Sequence, residues 1–186
     1  MPNYTAPVED MLFLFEKLRD NKNYNELEKY NEVIAFSDLK IKDLETTKEN
    51  ITLSYKATAT SIVDDINGDL YFSPMLFFAQ KENPFKEETR TYPLFFDFPK
   101  SNKYNITIKI PDGYKIKSLP EAISVAMPGK IISYSYLISE ANGSIQLAVT
   151  LDINKPALVA DDYGYIKAIF SQIVEKENEK VVLFKI

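Results

Sequence analysis

The residues able to do chemistry in this chain are mostly carboxylates, and their spacing decides what they could do. Asp64, Asp65, Asn67 and Asp69 crowd around Gly68 and could be read as a calcium loop. An EF-hand frame with Gly68 at its sixth position would place Val63 first and Pro74 twelfth, and neither side chain can ligate a metal. The Asn67-Gly68 pair is instead the strongest short hairpin signal, since both turn positions need positive φ. Glu87-Glu88 and Asp161-Asp162 are adjacent pairs. Glycoside hydrolysis needs two carboxylates converging across a cleft, whereas adjacent residues in extended chain point apart. A solvated loop for the first pair and a helix N-cap for the second are the readings these spacings support. Arg90 and Arg19 are the arginines of a chain that otherwise uses lysine. In front of Tyr92-Pro93, Arg90 suggests a bidentate carboxylate partner or a stacked ring, a structural clamp across strands.

The chain has no histidine and no cysteine. That excludes a Ser-His-Asp triad, a Cys-His dyad, His-bound zinc and thiolate metal sites. No catalytic, cofactor-binding or metal-binding residue is assigned, and no cofactor. A net charge of -5 without a basic run argues against nucleic-acid binding, which needs a clustered basic face. Met11–Phe15 and Met75–Ala79, the longest apolar patches, are too short for a membrane span. The first ten residues show no basic n-region or apolar h-region, so an exported form would carry its signal upstream.

These residues need elements to hold them, and the elements follow from periodicity. Within 186 residues, 12 Tyr and 12 Phe against 5 Gly suit sheet faces, where rings pack on cross-strand neighbours. Residues 1–33 differ from the rest. Pro7, Glu9 and Asp10 open a helix carrying Met11, Leu14, Phe15 and Leu18, and a second short helix runs from Tyr24 to Val33. From Ala35 the period switches to two. Strands are expected over Phe36–Leu44, Ile51–Ala59, Leu70–Ala79, Pro93–Phe98, Tyr104–Ile110, Tyr114–Leu119, Ile123–Met127, Ile131–Ile138 and Ile145–Ile153. Pro74 marks the third as an edge or bulged strand. Pro111-Asp112-Gly113 and Ala141-Asn142-Gly143 are turns. Tyr163, Ile166, Ile169, Phe170, Ile173 and Val174 share one helical stripe, and Val181–Phe184 forms a last strand. The expected fold is mainly β: an antiparallel, immunoglobulin-like β-sandwich over 34–186, with one helix before the last strand and a helical appendage at 1–33. Tyr71, Phe72, Phe77, Phe78, Phe95, Phe96 and Phe98 exceed what one strand face buries. Cover by the N-terminal helices, or a binding platform, would account for the excess.

The order Tyr71-Phe72-x-Pro74, Asn83-Pro84-Phe85, Arg90-x-Tyr92-Pro93, Ile110-Pro111-x-Gly113-Tyr114, Leu119-Pro120, Asp162-Tyr163, Ile173-Val174 and Asn178 resembles a known family. It is the C-terminal β-sandwich of unknown function that follows transglutaminase-like, papain-like domains in exported bacterial proteins. The resemblance implies a non-catalytic accessory module with a periplasmic or extracellular setting, since that family's Cys, His and Asp lie in the neighbouring domain. The partner it implies is that neighbouring enzyme domain or another protein. Residues 1–33, through Tyr4-x-Ala6-Pro7 and Asp10-Met11-x-Phe13-Leu14, resemble the opening helix of acyl-CoA dehydrogenases, without the flavin site or catalytic glutamate that activity needs. A carbohydrate- or peptide-binding module of the cell envelope and a dehydrogenase remnant are the competing expectations.

Overall fold

The computed structural model describes residues 34–42 and 52–186. The helical appendage expected at 1–33 and the turn expected at 46–50 lie outside the described residues. Contacts divide the chain into two compact units, the first ending at Ser61.

In the first unit β1 (Ile34–Lys42) and β2 (Thr52–Ala59) pair antiparallel. The register shifts between Ser37 and Lys40, where Asp38 adopts φ 56°. An inserted residue in left-handed conformation is how a strand absorbs such a shift. The Asp38 carboxylate accepts from Lys56 Nζ at 2.5 Å, an exposed pair that raises the lysine pKa through hydrogen bonding and charge.

The second unit is antiparallel throughout, as the alternating sequence predicts. Its larger sheet has the order β6 (Lys100–Lys109), β10 (Ser144–Ile153), β9 (Ile132–Ala141), β8 (Ile123–Ala126). Its smaller sheet has the order β3 (Asp64–Ile66), β4 (Asp69–Phe72), β12 (Val181–Lys185), β7 (Tyr114–Ser118). A short ribbon pairs β11 (Ala157–Leu158) with β5 (Leu94–Phe95). Helix α1 (Tyr163–Asn178) comes before the last strand, where the stripe predicts it.

Register explains the core. In the larger sheet Val149 lies opposite both Tyr104 and Tyr136, and Leu147 opposite Ile106 and Ile138. One face therefore carries Ile132, Tyr134, Tyr136, Leu147, Val149 and Ile153 in a row, all buried. The other face is mostly polar, with Ser, Thr, Asn, Gln and Lys side chains and the exposed Leu137 among them. The α1 side chains Ile166, Ile169, Phe170 and Ile173 pack on the apolar face. At its far end Ile145, Ile108 and Ile138 meet Phe72, Val181 and Leu183 of the smaller sheet. The second layer of the sandwich is thus shared between a sheet and a helix. Burying each such aliphatic side chain stabilises the fold by about 1.5–3 kcal/mol.

Three local expectations are corrected. The apolar run from Leu70 does not continue to Ala79: β4 stops at Phe72, and a single 3-10 turn covers Leu76–Phe78. Pro74 has no N–H to extend a ladder, so the strand ends before it. Nor is β4 an edge, since it lies between β3 and β12. The expected strand Pro93–Phe98 shrinks to Leu94–Phe95. Asp161 and Asp162 sit in a 3-10 turn leading into α1, and Asp162 makes no side-chain cap bond. The helix start is held instead by the backbone, with Asp162 N–H donating to Val159 O at 3.1 Å. The hairpin turns match: Asn67 and Gly68 both have positive φ, as do Asn142 and Gly143.

Candidate functional site

The densest polar geometry lies where residues 73–88 run along α1. Asn83 is its centre. Its side-chain oxygen accepts from Phe85 N–H at 2.9 Å, while its Nδ2 donates to Lys167 O and Ser171 Oγ, each at 2.8 Å. That local bond folds the loop into an Asx turn, and Pro84 suits the turn by its fixed φ. Phe85 is thereby aimed at the helix, edge-on to Phe170 at 4.9 Å and Tyr163 at 6.0 Å between ring centroids. Lys167 Nζ donates to Glu87 O at 2.8 Å and to Lys86 O at 3.2 Å. Asn178 Nδ2 donates to Gln80 O at 2.8 Å and to Val174 O at 2.7 Å. The last carbonyls of a helix have no partner within it. Here Asn178 and Ser73, whose Oγ donates to Glu177 O at 2.6 Å, supply two.

Glu177 lies beneath this seam, only 6% exposed. Gln80 N–H donates to its Oε2 at 2.7 Å, and the Tyr134 hydroxyl donates to Oε1 over a longer 3.4 Å. Desolvation pushes the Glu177 carboxyl above the usual carboxylate range, opposed by those two bonds and by the charge of Lys81. Tyr134, Tyr136 and Tyr104 are all pushed up, first by burial and then by negative charge, from Glu177 for Tyr134 and Tyr104 and from Glu179 and Glu177 for Tyr136. The Tyr136 hydroxyl is buried with no hydrogen-bond partner, alone in this among the side-chain polar atoms of the described residues. Lys176, also buried, meets Glu179 at 2.6 Å.

A buried carboxyl among phenols could serve acid–base chemistry only if a substrate reached it. Two open hollows on this unit lie elsewhere. One sits between Ile110–Tyr114 and Asn142–Ser144, the other on the outer face of the larger sheet around Asn105, Thr107, Leu137, Gln146 and Ala148. Glu177, Tyr134 and Tyr136 line neither. What the cluster does in this geometry is bind a loop to a helix.

The carboxylates singled out by spacing do not converge. Asp65 Oδ1 accepts from Gly68 N–H at 2.9 Å, Asp69 pairs with Lys117 at 2.8 Å, and Asp64 faces Lys180 at 3.6 Å. Among the described residues no group of three or more potential ligands gathers around a point. Glu87 and Glu88 lie exposed in the loop. Arg90 is corrected from cross-strand clamp to local brace: it is exposed, and its Nε donates to Tyr92 O two residues on at 3.2 Å. Of the seven aromatics in excess, Phe72 is buried, while Phe78 and Phe96 pack partly buried against the core. Phe95 is 72% exposed. The ribbon register explains this: Leu94 and Leu158 turn to the core, so Phe95 and its partner Ala157 turn out. Tyr92, at 76%, and Val159, at 60%, add exposed apolar surface on either side of the ribbon in sequence.

Sequence reasoning missed Glu177, Lys176 and Ser73. The available signal was an acid and a lysine just beyond the apolar stripe of α1. Asn83 and Asn178 did stand within the quoted pattern, and the seam gives the physical reason.

Among the described residues no helix is long and apolar enough to cross a membrane. No curated protein matches the sequence. A crystal structure titled as that of a candidate protease from Parabacteroides distasonis ATCC 8503 aligns with a TM-score of 0.45 and 12% identity. The alignment covers 52% of this chain and 19% of that one, so the chain spans about a fifth of that protein's length. Residues 68–183, from the β3–β4 turn into β12, match the family described as a domain of unknown function with solved structure, and the chain belongs to that family, DUF3858.

Proposed function

We propose that this chain is a non-catalytic accessory domain that binds a protein partner, and that the partner is a transglutaminase-like enzyme domain of the same parent protein. The exposed apolar ribbon carries the reading. Phe95 is held outward by a register that commits Leu94 and Leu158 to the core, and Tyr92 and Val159, which flank the ribbon in sequence, are exposed as well. Exposed apolar patches that include large aromatic side chains are the usual mark of a protein–protein interface. Two further observations support it. The chain has no histidine or cysteine to act as base or nucleophile, and its most perturbed ionisable groups sit in packed interior. The neighbour's identity rests on the resemblance of the loop and turn motifs.

The test begins with the gene on either side of this chain. A domain carrying Cys, His and Asp in transglutaminase-like order should be encoded there, and the two purified proteins should co-elute. Tyr92→Ser with Phe95→Ser should weaken that association at least tenfold, because both rings lie outside the core. Turnover of a peptide or transamidation substrate by this chain alone would overturn the non-catalytic reading. Binding of a soluble glycan, lost on the same substitutions, would favour a carbohydrate-binding module instead.

A further inference from the structure

The larger sheet ends in an edge that the rest of the unit leaves open. β6 is an outer strand, and among the described residues no strand pairs with its far side. It is 10 residues long, against 4 for the opposite edge β8 and 3 and 5 for the edges β3 and β7 of the smaller sheet. It contains no proline and no glycine. All ten residues stay in register with β10 from Lys100↔Ile153 to Lys109↔Ser144, without a bulge. Side-chain bonds tie it to its neighbour: Ser101 Oγ donates to Asp152 Oδ1 at 2.5 Å and Thr107 Oγ1 to Gln146 Oε1 at 2.7 Å.

The direction of its backbone follows from one bond. Ile110 N–H donates to Gly143 O at 3.1 Å, in the same register as the strand. Along an antiparallel strand successive residues turn their N–H and C=O to alternate sides. Ile108, Ile106 and Tyr104 therefore bond toward β10, and the backbone groups of Lys109, Thr107, Asn105, Lys103 and Ser101 face outward. Such a row is a template for another strand.

Charge selects what would pair with it. The chain carries -5 overall, yet β6 holds Lys100, Lys103 and Lys109 and no acid. A second copy pairing β6 to β6 would add lysine to lysine, and edge lysines are a device against that association. The same lysines attract an acidic segment. Half-buried Tyr104, Ile106 and Ile108 on the inner face leave apolar surface that alternate side chains of an added strand would cover.

We infer that the outer edge of β6 accepts an extended acidic segment of a partner protein, alternating carboxylate with apolar side chains, as an additional strand of the larger sheet. The inference stands whether or not the partner is a transglutaminase-like domain, because it uses a different surface from the β5–β11 ribbon. An amidated peptide of about seven residues alternating Glu with Val serves as the probe. Titrated into the full 15N-labelled chain, it should slow hydrogen exchange and shift the amides of Ser101, Lys103, Asn105, Thr107 and Lys109, and bind at least tenfold more weakly as salt is raised. Its Lys-for-Glu counterpart should not bind. Lys103→Glu with Lys109→Glu should weaken the Glu peptide at least tenfold and admit the Lys peptide. Asn105→Pro removes one outward N–H without touching the β10 ladder, and should abolish binding while leaving Tm close to that of the unsubstituted chain. No binding at millimolar peptide would overturn the inference. So would shifts confined to other residues, affinity unmoved by charge reversal, or pairing of β6 with a second copy.

Discussion

The Tyr134 and Tyr136 hydroxyls make a matched experiment at the scale of single residues. Both are buried and two positions apart on β9, but only Tyr134 finds a partner, Glu177. Removing a hydroxyl that has no partner relieves a desolvation cost, whereas removing a bonded one forfeits the bond. Tyr136→Phe should therefore leave stability unchanged or raise it by about 1 kcal/mol, and Tyr134→Phe should lower it by about 1 kcal/mol, both read by urea unfolding. Glu177 adds a pH dependence. Its folded pKa lies above the free value of 4.5, chiefly through burial. As pH rises from that value through the raised one, the folded chain holds a proton that the unfolded chain has released, so this group's contribution to stability falls. Glu177→Gln keeps the shape and removes the titration. Unfolding of the two proteins between about pH 4.5 and 8 should show the unsubstituted chain losing stability relative to the variant as pH rises. Arg90→Lys should shift stability by no more than about 0.5 kcal/mol, because the exposed guanidinium braces only a carbonyl two residues away.

Among the elements, the loop along α1 depends on side chains reaching backbone. Asn83 satisfies two acceptors on the helix and one donor in its own loop, and no other residue type offers an amide and a carbonyl on so short a stem. Asn83→Ala should cost about 1–3 kcal/mol and release Phe85 from its place against Phe170, seen as lost ring-current shifts on the Phe170 protons. The elements themselves were legible where alternation ran uninterrupted. β10 and α1 announce themselves by periods of two and three to four, and the Asn67-Gly68 and Asn142-Gly143 turns by their need for positive φ. Leu70–Ala79 misled because a dense apolar run has the same look in a strand as in a 3-10 turn over a core. Only Pro74 marked the change. The seam was legible as a motif but not as a mechanism. The partners of Asn83 lie on a helix about eighty residues downstream, and local spacing says nothing of such meetings.

At the scale of the whole molecule, composition indicated a mainly β fold and the motif order indicated a domain of unknown function, while the sharing of one sheet's apolar face between a helix and a second sheet was not readable. That division depends on long-range pairing, and its consequence is kinetic. The smaller sheet is joined at its centre by β12, which lies between β4 and β7. Phe72 must wait for Val181, roughly 110 residues later in synthesis, before β4 gains its second neighbour. The hairpin β9–β10 needs no such wait, since its strands meet across Asn142-Gly143. Refolding should accordingly be ordered: amide protection of β9 and β10 appears first, and that of β4, β7 and β12 arrives together in a slower step, measurable by pulsed hydrogen exchange. Until that step the apolar sides of Phe72 and Ile145 are open to water and to other chains. A cell making this protein would therefore meet its stickiest form just before the last strand is laid down.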